Sequence, residues 1–177
     1  MSKLKTLCLA ITASLLLAIS GWAQAADFFK SGNTKFRKGD YDGAIADYTK
    51  AIELNPQNAD AFYNRGVAKE RRRDYDGAIA DYSKYIELNP RDADAFDKRG
   101  WVKLQKRDYD GAIVDYTKAS ELNPKWEYFY VNRGESKNGK GDYDGAIADY
   151  TRAIELYPGL KEKVLPLIEK VRQQLKP

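Results

Sequence analysis

The sequence has 177 residues, 43% of them hydrophobic and 32% charged, with 30 basic and 26 acidic side chains and a net charge of +4. This composition suits one or two folded domains and excludes wholesale disorder. It contains no His and one Cys, Cys8, which excludes imidazole catalysis, His metal ligation, a histidine pH switch and an intramolecular disulfide.

The N-terminus carries Lys3 and Lys5, an uncharged apolar stretch over 6–20, and then Ala23-Gln24-Ala25. A positive start, an apolar middle and an A-x-A site predict a signal peptide over 1–25, cleaved after Ala25, and a periplasmic or secreted protein. The apolar stretch is shorter than the roughly 20 residues of a membrane span, so no stable membrane insertion is expected after cleavage. Cleavage removes Cys8 and leaves 28 of the 30 basic residues against all 26 acidic ones. A thiol-free chain suits an oxidising compartment. So even a charge balance lacks the basic stripe of a nucleic-acid binder.

Beyond Ala25 the chain repeats. Asp40-Tyr41-Asp42-Gly43-Ala44-Ile45 returns from Asp74, Asp108 and Asp142, each 34 residues after the last. Each copy ends at a Pro (Pro56, Pro90, Pro124, Pro158), and Gly32, Gly66, Gly100 and Gly134 recur at the same interval. Self-similarity at this period is the mark of stacked helical hairpins. In the third unit, Asn89-Pro90-Arg91-Asp92 breaks the chain, and 93–106 is helix-compatible, with Phe96, Gly100 and Lys103 on one stripe. A second helix begins near Asp108, where carboxylates meet orphan backbone N–H groups. It carries Ala112, Ile113, Tyr116 and Ala119 at helical spacing and stops before Asn123-Pro124. Gly100 and Ala112 let the two helices approach, and Phe96 and Tyr116 fill the space beside them. One such pair buries too little to stand alone, so the pairs must stack.

After Pro158 the periodic motif ends. Val164, Ile168, Val171 and Leu175 form an apolar stripe among Lys161, Lys163, Glu169, Lys170, Arg172 and Gln173. This predicts an amphipathic helix over 161–177 that caps the array, kinked or begun at Pro166.

The pattern resembles the tetratricopeptide repeat family, with units over 25–58, 59–92, 93–126 and 127–160. Counting each unit from its first residue, the family's aromatic at position 4 is matched by Phe28, Phe62, Phe96 and Tyr130. The small residue at position 8 is matched by the four glycines named above, and position 20 by Ala44, Ala78, Ala112 and Ala146. Position 24 is Tyr48, Tyr82, Tyr116 and Tyr150; position 27 is Ala51, Ala119 and Ala153, with Tyr85 the exception. The resemblance implies an all-α fold, a right-handed α-solenoid of four helix-turn-helix repeats, and a non-catalytic module that binds a protein or peptide in its concave groove.

Three positions depart from the family. Position 7, usually Leu, is Ser31, Arg65, Arg99 and Arg133. Position 11, usually aromatic, is Lys35, Lys69, Lys103 and Lys137, while position 23 is Asp47, Asp81, Asp115 and Asp149. Intra-repeat ion pairs are expected here, with the long stems packing as apolar filler; such ladders are read as structural before functional.

Candidate chemistry is sparse. The segment Gly134-Glu135-Ser136-Lys137-Asn138-Gly139-Lys140 imitates a phosphate loop, but Gly141 stands where a magnesium-binding hydroxyl belongs, and the context is helical. Asp40-Tyr41-Asp42-Gly43 imitates a calcium loop, yet Ala51 occupies the place of the closing Glu. No nucleophile–base pair is visible, and no catalytic residue, metal or cofactor is expected. What varies between repeats lies on the first helices, where the resemblance places the groove. There Phe29, Asn33, Tyr63, Asn64, Val67, Arg71, Lys98, Trp101, Gln105 and Asn132 are the candidate partner-binding residues. Aromatics supply buried area and Asn can pair with peptide backbone. Trp101 has packing between helices as its competing role. Some relatives clamp a C-terminal carboxylate with two Asn and three basic residues. Asn33, Asn64 and Lys98 match three of those places, but Phe29 and Asp94 hold the other two, and Asp94 would repel the ligand. Self-association through exposed Phe28 and Phe29 is the structural alternative, and a glycan binder or a carboxylate enzyme the remaining ones.

Overall fold

The computed structural model describes residues 21–175, and every regular element among them is helical. Helix α1 covers 21–37 and is followed by α2 (Tyr41–Leu54), α3 (Ala59–Arg71), α4 (Tyr75–Leu88), α5 (Ala93–Gln105), α6 (Tyr109–Leu122), α7 (Glu127–Lys140) and α8 (Tyr143–Leu156). A 3₁₀ turn, Pro158–Leu160, leads into α9 (Lys161–Gln174). The charged start and apolar run of the predicted signal, 1–20, lie outside the described residues; Ala23 to Ala25 belong to α1, with Ala25 buried.

The chain divides into two compact units between Asp74 and Tyr75. In the first, α2 packs on α3, and Ala44, Tyr48 and Ala68 form a core flanked by Phe29, Phe36 and Ile45. In the second, each helix from α4 to α9 packs on the next. One of its clusters joins Phe96, Ala119 and Phe129; another joins Ala146, Tyr150 and Ala153 to Leu160, Val164, Ile168 and Val171.

The recurring Asp-Tyr-Asp-Gly motif decodes as a helix start. Asp40, Asp108 and Asp142 are N-caps whose carboxylates accept the N–H of Gly43, Gly111 and Gly145 at 2.9, 3.0 and 3.0 Å. The carboxylate lies so close over the helix that a Cβ on any of these glycines would come within 2.2 Å of an Asp oxygen. The glycine at position 8 has a different cause: a Cβ on Gly134 would sit 2.8 Å from the Tyr150 ring and 3.2 Å from the Ala146 carbonyl oxygen. The predicted close approach of first and second helices is thus met, with a tyrosine ring laid across the glycine.

Helix α9 begins 34 residues after α7 and so occupies the register of a further first helix. Its Val164, Ile168 and Val171 are buried against α8, as the apolar stripe predicts. Leu175 is not: it caps the helix and is 47% exposed, because it lies beyond the part of α9 that α8 covers. The helix runs through Pro166, which lies in its interior and does not begin it.

Candidate functional site

The Asp residues at position 23 are buried and engaged. Asp115, 0% exposed, accepts Arg99 Nε and Nη2 at 2.9 and 2.7 Å and pairs with Lys103 Nζ at 2.8 Å. Asp149 repeats this with Arg133, at 2.8 and 2.6 Å, and with Lys137, at 2.8 Å. In the first repeat Asp47 accepts Ser31 Oγ at 2.6 Å and Lys35 Nζ at 2.7 Å. Burial raises the Asp47 pKa, but the bonds from Lys35 and Ser31 and the Lys35 charge outweigh it, and the group stays below the usual carboxylate value. The Arg99 and Arg133 guanidinium groups also lie over aromatic rings, 5.7 and 5.3 Å from the ring centres of Phe96 and Tyr130.

These arginines also do something the sequence pattern did not reveal. Arg65, Arg99 and Arg133 each send Nη1 to a hydroxyl of the preceding repeat, reaching Thr49 at 3.0 Å, Ser83 at 3.0 Å and Thr117 at 3.3 Å. Position 7 is therefore a staple between consecutive repeats. In the first repeat the position holds Ser31, whose hydroxyl goes to Asp47 of its own repeat. The signal was available as a joint pattern, since Arg at position 7 coincides with Ser or Thr at position 25 one repeat before.

The imitated motifs carry structure. Gly134 to Lys140 lies within α7, with Gly134 backed against Tyr150. The second Asp of the first three Asp-Tyr-Asp-Gly motifs pairs with a cation 30 residues on: Asp42 with Arg72 at 2.8 Å, Asp110 with Lys140 at 2.6 Å, and Asp76 with Lys106; for Asp144 that place holds Gln174. Helix capping accounts for the first Asp of the motif only. No cluster of His, Cys, Asp and Glu among the described residues is arranged to hold a metal ion.

A defined cavity exists in the first unit. Asn33, Phe36, Arg37, Tyr48, Asn64 and Val67 line a space of about 470 Å³, within the range of ligand sites. Asn33 Oδ1 accepts both Tyr48 Oη at 2.8 Å and Asn64 Nδ2 at 3.0 Å. The two bonds hold the Asn33 amide in one orientation, leaving its Nδ2 to donate and Asn64 Oδ1 to accept. A donor and an acceptor side by side above Val67 and two aromatic rings match a peptide group followed by an apolar side chain. Arg37 braces the rim, its Nε donating to the Asn33 carbonyl at 3.3 Å. Burial pushes the Tyr48 hydroxyl up to about 12, so it remains a proton donor to Asn33.

Of the predicted groove residues, Asn33, Asn64 and Val67 are thus brought together. Phe29 is half-buried and packs against Tyr48 with ring centres 5.9 Å apart. Phe28 is half-buried too, beneath the Lys50 ammonium at 5.1 Å. This corrects the expectation that both are exposed for self-association: helix periodicity sends one to the core and the other under a lysine of α2. Tyr63 is half-buried and Arg71 exposed. In the second unit Lys98, Trp101 and Asn132 are half-buried and Gln105 is exposed; Asn132 Nδ2 donates to Asp97 Oδ1 at 3.2 Å. Asp94 lies exposed in the first turn of α5. Sequence reasoning missed Tyr48 as a cavity wall, having assigned it wholly to the framework.

Comparison with known proteins gives the same architecture. Family models of the TPR repeat match residues 32–71, and models of the tetratricopeptide repeat match 59–92 and 98–161. Among solved structures, a MamA protein is 24% identical, with 85% of this chain and 87% of that one covered and a TM-score of 0.74. The Arabidopsis OM64 TPR domain is 23% identical, with 67% and 98% covered and a TM-score of 0.62. YrrB, described as a TPR protein with an unusual peptide-binding site, is 23% identical, with 76% and 70% covered and a TM-score of 0.68. At these identities the likeness is one of fold. No curated protein matches the chain.

Proposed function

We propose, from the premise that this chain belongs to the tetratricopeptide repeat family, that it is a non-catalytic adaptor holding an extended segment of a partner protein on its first helices. The observation that carries this reading is the first unit's cavity. Its Asn33–Asn64 pair presents one donor and one acceptor beside an apolar floor of Phe36, Tyr48 and Val67, and a polypeptide offers the complementary set once per residue.

Selection of a displayed random-peptide library on the full chain tests the reading. Enriched peptides are expected to bind the natural protein, and Asn64→Ala is expected to weaken them about tenfold, the effect of stranding a partly buried hydrogen-bonding group. Failure to enrich any peptide, or peptides indifferent to Asn64→Ala and Val67→Ala, would overturn it.

Export is part of the proposal and rests on the three-part N-terminal pattern. Ala25 is buried in α1, so cleavage there belongs to a stage before the helix packs. N-terminal sequencing of the protein from the periplasm of an expressing cell should begin at Ala26; an intact Met1 would exclude it.

A further inference from the structure

The second unit carries a surface of opposite character to the amide-lined cavity of the first. Asp97 and Trp101 lie one turn apart on α5, and Asn132 and Glu135 one turn apart on α7. The bond from Asn132 Nδ2 to Asp97 Oδ1, at 3.2 Å, joins the two stripes. Both helices run antiparallel to the intervening α6 and hence parallel to each other, so the following turn brings Trp101 beside Glu135. Glu135 is exposed, and Trp101 and Asp97 are half-buried, so all three are within reach of a ligand.

Beneath them lies Tyr116. It is 0% exposed, its ring packs against Gly100, and its hydroxyl has no hydrogen-bond partner among the described residues. The equivalent Tyr48 donates to Asn33 at position 9 of its repeat; in the third repeat position 9 is Trp101, which offers no acceptor. Burial raises the Tyr116 pKa, and the charges of Asp97, Glu135 and Asp115 raise it further. A fully buried tyrosine hydroxyl without a hydrogen-bond partner is unusual in a native fold.

We propose that Trp101, Asp97 and Glu135 form a subsite for an arginine side chain of a bound polypeptide, with the Tyr116 hydroxyl in its floor. The planar guanidinium stacks on the indole face while its N–H groups reach the carboxylate edge. A negative ligand group is repelled, and a neutral one gains only the aromatic contact. The subsite rests on the adaptor reading above but makes a separate demand, since it specifies a charge on the ligand and a location on the second unit.

Blocked arginine, N-acetyl-arginine amide, is the probe, titrated into the full isotope-labelled chain and followed by the indole N–H signals of Trp22, Trp101 and Trp126. The Trp101 signal, assigned with Trp101→Phe, and the Asn132 side-chain amide are expected to shift saturably, while Trp22 and Trp126 do not. The neutral isostere N-acetyl-citrulline amide should bind about tenfold more weakly, and Glu135→Gln, an exposed change that leaves the fold intact, should weaken the arginine probe to a similar degree. Equal shifts from arginine and citrulline, shifts shared by all three indoles, or an unchanged titration with Glu135→Gln would each overturn the subsite. If library peptides still bind in an Asn64-dependent way after such a result, the adaptor reading stands without it; if no peptide binds either, both fall.

Discussion

Replacing Asp115 by Ala is expected to be among the most damaging single changes outside the apolar core. The Asp115 side chain is 1% exposed and balances two cations, Arg99 and Lys103, that are only 18% and 17% exposed. Its loss strands both, and breaking a buried pair from one side costs about 3–5 kcal/mol. Asp47→Ala provides the internal comparison. There one partner is the neutral Ser31, and the cation, Lys35, is 38% exposed and can turn to water, so the cost should be nearer 1–2 kcal/mol. Urea denaturation gives the stabilities. Amide hydrogen exchange locates the loss, which matters because stacked repeats need not unfold in one step. Exchange should accelerate in α5 and α6 for Asp115→Ala and in α1 and α2 for Asp47→Ala. If Asp115→Ala falls within about 1 kcal/mol of the natural protein, or costs no more than Asp47→Ala, the reasoning from burial and pairing is wrong.

Other outcomes follow from particular residues. Tyr116→Phe removes a buried hydroxyl that has no partner and should be neutral or slightly stabilising, whereas Tyr48→Phe removes the bond to Asn33 and should cost about 1 kcal/mol by urea denaturation. Arg107 is held at φ 61° in the turn between α5 and α6, where the equivalent residue 34 positions on is Gly141 at φ 90°. Arg107→Gly should therefore raise stability by about 0.5–1 kcal/mol, the left-handed penalty less glycine's entropy. Tyr48 and Tyr150 have folded-state pKa values pushed up from 10.0 to about 12 by burial. Because the folded value lies above the unfolded one, their contribution is full below pH 10.0 and is lost as pH rises through about 12. Tyrosinate absorbance and helical circular dichroism should change together across that window, and a titration of these tyrosines with helicity intact would contradict the burial argument.

The repeat period, the two helices per unit and their boundaries were legible because each rests on local chemistry. Asp108 begins α6 and Asn123-Pro124 ends it through their own backbone preferences, whatever packs nearby. The apolar stripe of α9 was legible for the same reason, except at Leu175, whose exposure depends on where α8 stops. The ion pairs of Asp115 and Asp149 were predictable in type from charges at fixed positions. The staple from each arginine to the preceding repeat left only a joint pattern of Arg and hydroxyl 16 residues apart, and that the two meet was decided by the distance between helices, which packing sets.

The candidate site divides in the same way. Internal variation among otherwise equal repeats singled out Asn33, Asn64, Trp101 and Asn132 as residues that individualise the first helices. It could not show that Asn33 bonds both Tyr48 and Asn64 and so fixes a donor–acceptor pair, nor that Phe28 and Phe29 are withdrawn beneath α2. Sequence alone determined the helices, their period and the class of fold, because helical periodicity, caps and breakers act within a few residues. Tertiary structure decided which amides converge on one cavity, which carboxylates are buried with their cations, and which tyrosine hydroxyl is left without a partner. Those outcomes depend on side chains from different helices meeting within hydrogen-bond distance, and ångström-scale separations between helices are set by packing.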